Sequence, residues 1–243
     1  MRYLKNEKGH MTILMIWLLV LTSTLLILAV NFIKIYAVKE KASINAEQAS
    51  IVATDLLYEH TMKAVQDYDE AYMNALIANL AEGEILPEYE SIQEKIDNEK
   101  ISLQNRGYNE QKALRKAINK VLNNELSGSC TTIPVLGVEN LQCYVEKEMR
   151  EAENDVSSEV AIFIEKNGGK ANDFKVRMFD EKERIVVEGK ATFESTSDDK
   201  LIKSFKKDLP QLGKSAPIPF VERLNWSDTV VEVGAEYVYP SIP

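Results

Sequence analysis

The chain has 243 residues, 45% of them apolar and 28% charged, with a formal net charge of −9. That acidic balance argues against a nucleic-acid partner, which needs a surplus of Lys and Arg against phosphate. Two cysteines are too few for a disulfide-stapled miniprotein or a four-thiolate zinc site, and two histidines leave little for a histidine-rich metal centre.

Helix breakers are unevenly placed. Of the 10 Gly and 7 Pro, only Gly9 precedes Gly83, so the 73 residues from His10 to Glu82 contain neither. Residues 11–33 form a run of 23 without a charge, where about 20 helical residues cross a bilayer. Thr12, Thr22, Ser23, Thr24 and Asn31 are its polar members, and hydroxyls are tolerated in a membrane helix because they bond back to carbonyls one turn earlier. A cleaved signal has a shorter apolar region ending at small residues. No A-x-A site follows this run, Ala29-Val30-Asn31 being the nearest approach, so an uncleaved anchor is expected.

Arg2, Lys5 and Lys8 before the span nearly balance Lys34, Lys39 and Lys41 after it. Length and the two cysteines point to one orientation: the tail before the span is short, the part after it is long, and long polar domains translocate largely regardless of charge, so the N-terminus is expected in the cytoplasm and the C-terminal part outside the cell membrane. Beyond residue 35 there are 25 Lys/Arg against 37 Asp/Glu, a net charge of −12, which keeps that part soluble.

After the span, Ile44, Ile51, Tyr58, Val65 and Tyr72 recur every seven residues, and Leu56, Met62, Tyr68, Met73, Leu76 and Leu80 widen the stripe. This periodicity predicts an amphipathic helix that continues the membrane helix without a linker, either unbroken from His10 to Glu82 or with a bend or break near 42–45 or 54–60. The helix either packs on its own domain or uses this face for assembly with like subunits, a homo-oligomer. Asp55 and Asp69 interrupt the second apolar column that a coiled coil would need.

Two further helices are expected at 88–105 and 109–125, forming a hairpin around Gly107. From Val138 onward the windows 140–146, 160–165, 174–179 and 185–193 are rich in Val, Ile, Phe and Tyr and read as strands, the last two joined as a hairpin through 180–183. Gly168-Gly169 marks a turn. A short helix is expected at 200–209, an edge strand at 216–226 and a final strand at 229–239. The organisation is then a cytoplasmic tail at 1–10, a transmembrane helix at 11–35, an exterior helical region at 36–128 and an exterior antiparallel-sheet region at 129–243 packed with the helices. The fold class is α+β.

Cys130 and Cys143 flank a short loop containing Pro134 and Gly137. Outside the cytoplasm they are expected to form a disulfide, the alternative being two buried thiols. His10 and His60 read as surface histidines, and the carboxylate groups 67–70, 180–183 and 198–199 as solvated charge. No G-x-S-x-G, H-E-x-x-H, Walker, G-x-G-x-x-G or calcium-loop motif occurs. No catalytic, cofactor or metal site is therefore expected, and the chain is not read as an enzyme. Asn225-Trp226-Ser227 matches a glycosylation sequon, a pattern short enough to arise by chance.

Lys8-Gly9 precedes the apolar run, as at the cleavage point of pilin-like precursors, which makes Gly9-His10 a candidate processing site. Ile13 and Leu14 stand where such precursors carry a Glu. The other reading of Gly9 is a helix breaker at the membrane edge. With Glu7-Lys8-Gly9, Ala29-Val30-Asn31, Tyr36-Ala37-Val38-Lys39, Asn45-Ala46, Ala49 and Ala53, residues 5–55 resemble the N-terminal region of TadE/TadG-like proteins of tight-adherence pilus-assembly systems. The resemblance implies a bacterial, single-pass, pseudopilin-like or accessory component whose partners are the membrane and other pilus or secretion-apparatus subunits. A membrane-tethered sensor or ligand-binding domain is the alternative. The tail of ten residues offers it no cytoplasmic output domain.

Overall fold

The computed structural model describes residues 7–80, 89–194, 206–224, 226 and 230–233. It is α+β. In chain order come α1 (Glu7–Asn79), α2 (Ile92–Asn105), α3 (Glu110–Glu125), β1 (Thr132–Ile133), β2 (Val138–Glu139), α4 (Leu141–Lys166), a 3-10 turn (Ala171–Asp173), β3 (Phe174–Arg177), β4 (Val186–Glu194), β5 (Lys206–Lys214), a second 3-10 helix (Pro219–Arg223) and β6 (Val230–Glu232). The chain divides into two compact units, 1–43 with 190–211 and 44–189 with 212–243.

α1 is one helix, the unbroken alternative, with no break at 42–45 or 54–60. Gly9 lies inside it rather than ending it. In the first unit, every side chain from Met11 to Val30 is exposed. In the second, α1 buries Ala46, Ala49, Ala53, Leu57, Ala64, Val65 and Tyr68. Small residues let neighbouring backbone approach closely, and Gly213 of β5 uses this. A Cβ on Gly213 would collide with the carbonyl of Ala46 and the amide of Glu47. Polar residues on the buried face are satisfied locally: Thr54 Oγ1 donates to the Ser50 carbonyl at 2.6 Å and Thr61 Oγ1 to the Leu57 carbonyl at 2.7 Å.

α2 and α3 form the expected antiparallel hairpin. Lys95 pairs with Glu125, and Lys120 with Glu99, across it. Ser91 and Glu94 build a reciprocal capping box at the start of α2, and Asn109 caps α3. Asp69 on α1 adds a carboxylate at the α2 N-terminus. It accepts from the amides of Ile92 and Gln93 and from the Tyr89 hydroxyl, each at 2.9 Å. Burial and this carboxylate push the Tyr89 hydroxyl well above its usual range. Asp69 is thus a positioned cap, not solvated charge.

The strands expected at 140–146 and 160–165 are instead the two ends of α4, whose N-cap is Asn140. Leu141, Val145, Met149, Ala152, Val156, Val160 and Ile164 are all buried, and their spacing of three and four residues is helical. The strands expected at 174–179 and 185–193 are present as β3 and β4, paired antiparallel with Val176 opposite Val187. Asp180 organises the turn between them by accepting from the amides of Lys182 and Arg184 and from the Arg184 guanidinium. The Arg184 hydrogen bond is the main reason the Asp180 carboxyl falls to about 2. Asp180 is therefore also paired rather than solvated.

The sheet order is β5-β4-β3-β6. Residues 206–209 belong to strand β5, not to the expected helix. β5 lies at a sheet edge, where Pro210 is tolerated. In place of the edge strand expected at 216–226, Pro219–Arg223 form a 3-10 helix with Pro at its start. β6 supplies the beginning of the expected final strand, and 234–239 lie outside the described residues, as do 198–199, 225 and 227. Leu57, Ile96, Ile118, Leu122, Met149, Ile164, Met178, Ile185 and Phe220 are completely buried in the second unit.

Candidate functional site

Four features carry the functional reading. The first is the apolar segment of α1. It is long and apolar enough to cross a membrane, and none of its most apolar window is buried among the described residues. Trp17, Leu26 and Phe32 are each about two-thirds exposed or more, at 70%, 67% and 69%. Thr22 and Thr24 donate to the carbonyls of Leu19 and Val20 at 3.0 and 2.8 Å, so their hydroxyls need no water. Gly9 and His10, the candidate processing pair, lie within the helical backbone just before this segment.

The second feature is the seven-residue column. Tyr58 and Val65 are buried in their own domain, whereas Ile44 and Ile51 remain 44% and 49% exposed. Tyr72 is half-buried and stacks on Tyr89 at 4.6 Å. A straight helix drifts about 20° per heptad. Over four heptads the column therefore turns by roughly 80° and passes from an open face into the core. Sequence spacing placed the five residues on one line, and the helix distributes them between two surroundings.

The third is the disulfide loop. Cys130 and Cys143 are joined, with a Cα–Cα separation of 4.7 Å. The hairpin β1–β2 lies inside the loop and presents Val135 at 84% exposure. Asn140 ties the loop to α4. Its carboxamide NH2 donates to Ser127 Oγ, the Ser129 carbonyl and Thr131 Oγ1, and its oxygen accepts from the Cys143 amide. Replacing both cysteines with Ala should lower stability by about 3 kcal/mol on the loop-entropy estimate. A thermal melt of the oxidised protein against the variant checks this, and equal melting temperatures would refute it.

The fourth feature comprises two polar clusters in the second unit. His60 on α1 meets Glu148 on α4, Nδ1 to Oε2 at 3.0 Å, and lies 3.3 Å from Asp155 through Nε2. Lys63 Nζ bonds both Glu148 oxygens at 2.9 and 3.1 Å and lies 3.5 Å from Glu151. His60, Glu148 and Glu151 have the donor set of a metal site, with ligand atoms within 4.8 Å of one another. The Lys63 ammonium already supplies the positive charge between the two carboxylates, so the arrangement works as an ion-pair network joining α1 to α4. Burial pushes Glu148 up, but hydrogen bonds from Lys63 and His60 outweigh it and hold the carboxyl below its ordinary value. His60 is therefore not the simple surface histidine expected. Its partner lies 88 residues away in sequence, and no local pattern signals it.

The second cluster lines a cleft of about 910 Å³ beside α3, with Tyr58 and Leu103 among its lining residues and Ala216, Pro217 and Pro219 along it. Its charged lining is Arg106, Lys112, Arg115, Lys116 and Lys120 against one carboxylate, Glu99. Lys120 is paired with Glu99, and Arg115 with Asp55. Lys112 and Lys116 lie over the Tyr108 ring at 5.5 and 5.1 Å. The Tyr58 hydroxyl accepts from Asn119 Nδ2 at 2.7 Å, and burial keeps it protonated by raising it above its ordinary value. The volume lies within the range of ligand pockets. In the sequence α3 shows only as the second helix of a hairpin. Its cationic residues at 112, 116 and 120 were visible there, but not the wall that faces them a hundred residues later.

No protein-family model, curated protein or solved structure matches the chain.

Proposed function

We propose that the protein is a single-pass membrane-anchored component of a bacterial pilus-assembly or secretion apparatus, with its α+β domain outside the cell and its action exerted through protein–protein assembly. The observation that carries the reading is the bare apolar segment of α1. Each large apolar side chain left in water forgoes about 1.5–3 kcal/mol of burial free energy, and more than a dozen such side chains are exposed there. Lipid is the surrounding that removes this cost. As a helix, 23 residues extend about 35 Å, enough for a hydrocarbon core of about 30 Å. The TadE/TadG-like residues of 5–55 support an apparatus role, and the disulfide supports an oxidising compartment.

Ile44 and Ile51 are the residues of the assembly column that the domain leaves open, so a neighbouring subunit or a second copy is expected to contact them. A photo-crosslinking residue placed at 44 or 51 in cells should give discrete adducts with an envelope protein or with a second copy. A strictly monomeric pattern at both positions would count against the assembly role. The cationic cleft favours a second reading, a tethered ligand-binding domain. Under that reading, a ligand saturates the cleft while positions 44 and 51 give no adducts.

A further inference from the structure

We infer that the cleft beside α3 binds an acidic peptide segment in extended conformation, with carboxylates at alternate positions. The chain as a whole is acidic, at −9, so a recess lined by five cations and one carboxylate runs against the rest of the surface. Two of the five cations are already neutralised, by Glu99 and Asp55. Among the described residues, Arg106, Lys112 and Lys116 have no carboxylate within salt-bridge distance.

The spacing suits an extended partner. Lys112 and Lys116 are four residues apart on α3, about 6 Å along the helix, and Lys120, paired with Glu99, continues the row by one further step. In an extended strand, side chains on one face recur about every 6.8 Å. Carboxylates at alternate positions therefore keep pace with the row over these two steps. The apolar lining from Leu103, Tyr58, Pro217 and Pro219 suits the small or apolar residues between the carboxylates. Compact anions would meet the lysines but leave that lining unused.

The test uses the full chain in detergent micelles and a fluorescent, end-capped peptide alternating Glu and Ala. Saturable binding is expected, with affinity falling steeply as salt is raised. The Gln/Ala counterpart should bind at least tenfold more weakly. Lys112→Gln with Lys116→Gln should reduce affinity about tenfold or more without moving the melting temperature, because both side chains are exposed and Gln is a good helix former. Lys166→Gln with Lys170→Gln, also exposed but outside the cleft, should leave binding unchanged. Equal binding of the Gln/Ala peptide would overturn the inference. So would an equal loss in the Lys166 and Lys170 variant, or inorganic polyphosphate binding as well as the Glu peptide at matched charge. The cleft can bind this peptide even if positions 44 and 51 yield no adducts, so the two proposals fail separately.

Discussion

Gly213→Ala should unfold the second unit or weaken it by about 3 kcal/mol or more. Overpacking usually costs about 1–3 kcal/mol because side chains and backbone can shift. Here the new methyl would meet the Ala46 carbonyl and the Glu47 amide, which are backbone atoms inside a helix. No rotamer change removes that collision, so β5 must move away from α1. The nature of the clash supplies the control. Ala46→Gly should not rescue the variant, because the obstacle is not the Ala46 side chain. Gly137→Ala is the comparison, since Gly137 has a positive φ of 67° and open space around it. Its cost should be only about 1–2 kcal/mol, from the left-handed conformation alone. Near-UV circular dichroism during thermal melts reports tertiary packing. Equal melting temperatures for Gly213→Ala and wild type would show that β5 and α1 do not approach as described.

The second large effect is expected from removing the two side chains that hold Glu148. His60→Leu with Lys63→Met leaves a carboxylate with a side chain only 4% exposed and without its Lys63 and His60 partners. Removing the partners of a buried charge costs about 3–5 kcal/mol. The pH dependence should also reverse. In the wild type, the Glu148 carboxyl is held below its unfolded value. Its stabilisation is therefore present above the unfolded value, about 4.3, and is lost as pH falls through the lower folded value. In the variant only burial remains, and it raises the folded value. That destabilisation is relieved as pH falls toward and below about 4.3, once the carboxyl is protonated in both states. Asp180, held at about 2 by Arg184, is unchanged and contributes equally to both proteins. The difference between variant and wild type, measured by denaturant titration from neutral pH to about pH 4, should hold level at first and then shrink as pH falls through the variant's raised carboxyl range toward about 4.3. A constant difference would mean that the network does not carry Glu148.

Much of the architecture could be read from periodicity and caps. The uncharged run of 11–33, the amphipathic continuation of α1, the α2–α3 hairpin and the β3–β4 hairpin all have local signals. The misreadings have physical causes. Val160, Ile162, Phe163 and Ile164 make a β-rich window, but the spacing of the buried residues from Leu141 to Ile164, together with Asn140 as a cap, decides for helix α4. The larger period outweighs local propensity because it buries one continuous face. β5 was obscured for the opposite reason. Its segment is rich in Lys and contains Pro, both of which suit an edge strand but give no strand signal.

The site residues were less legible than the fold. The disulfide could be expected from two cysteines flanking a turn. The Glu148 network joins residues 85 and 88 positions apart, and the cationic cleft sets α3 beside Pro217 and Pro219. Neither has a one-dimensional pattern. The seven-residue column shows the converse: a clear pattern in sequence need not be a single surface, because helical drift carries Tyr58 and Val65 inward while Ile44 and Ile51 stay outside.

The central claim is that α1 anchors the chain in the membrane and that the disulfide-bearing domain lies outside. Treating intact cells with a membrane-impermeant thiol reagent, with and without an impermeant reductant, tests it most directly. Labelling of Cys130 and Cys143 in intact cells only after reduction is the predicted result. Labelling only after lysis would place the domain in the cytoplasm and contradict the account.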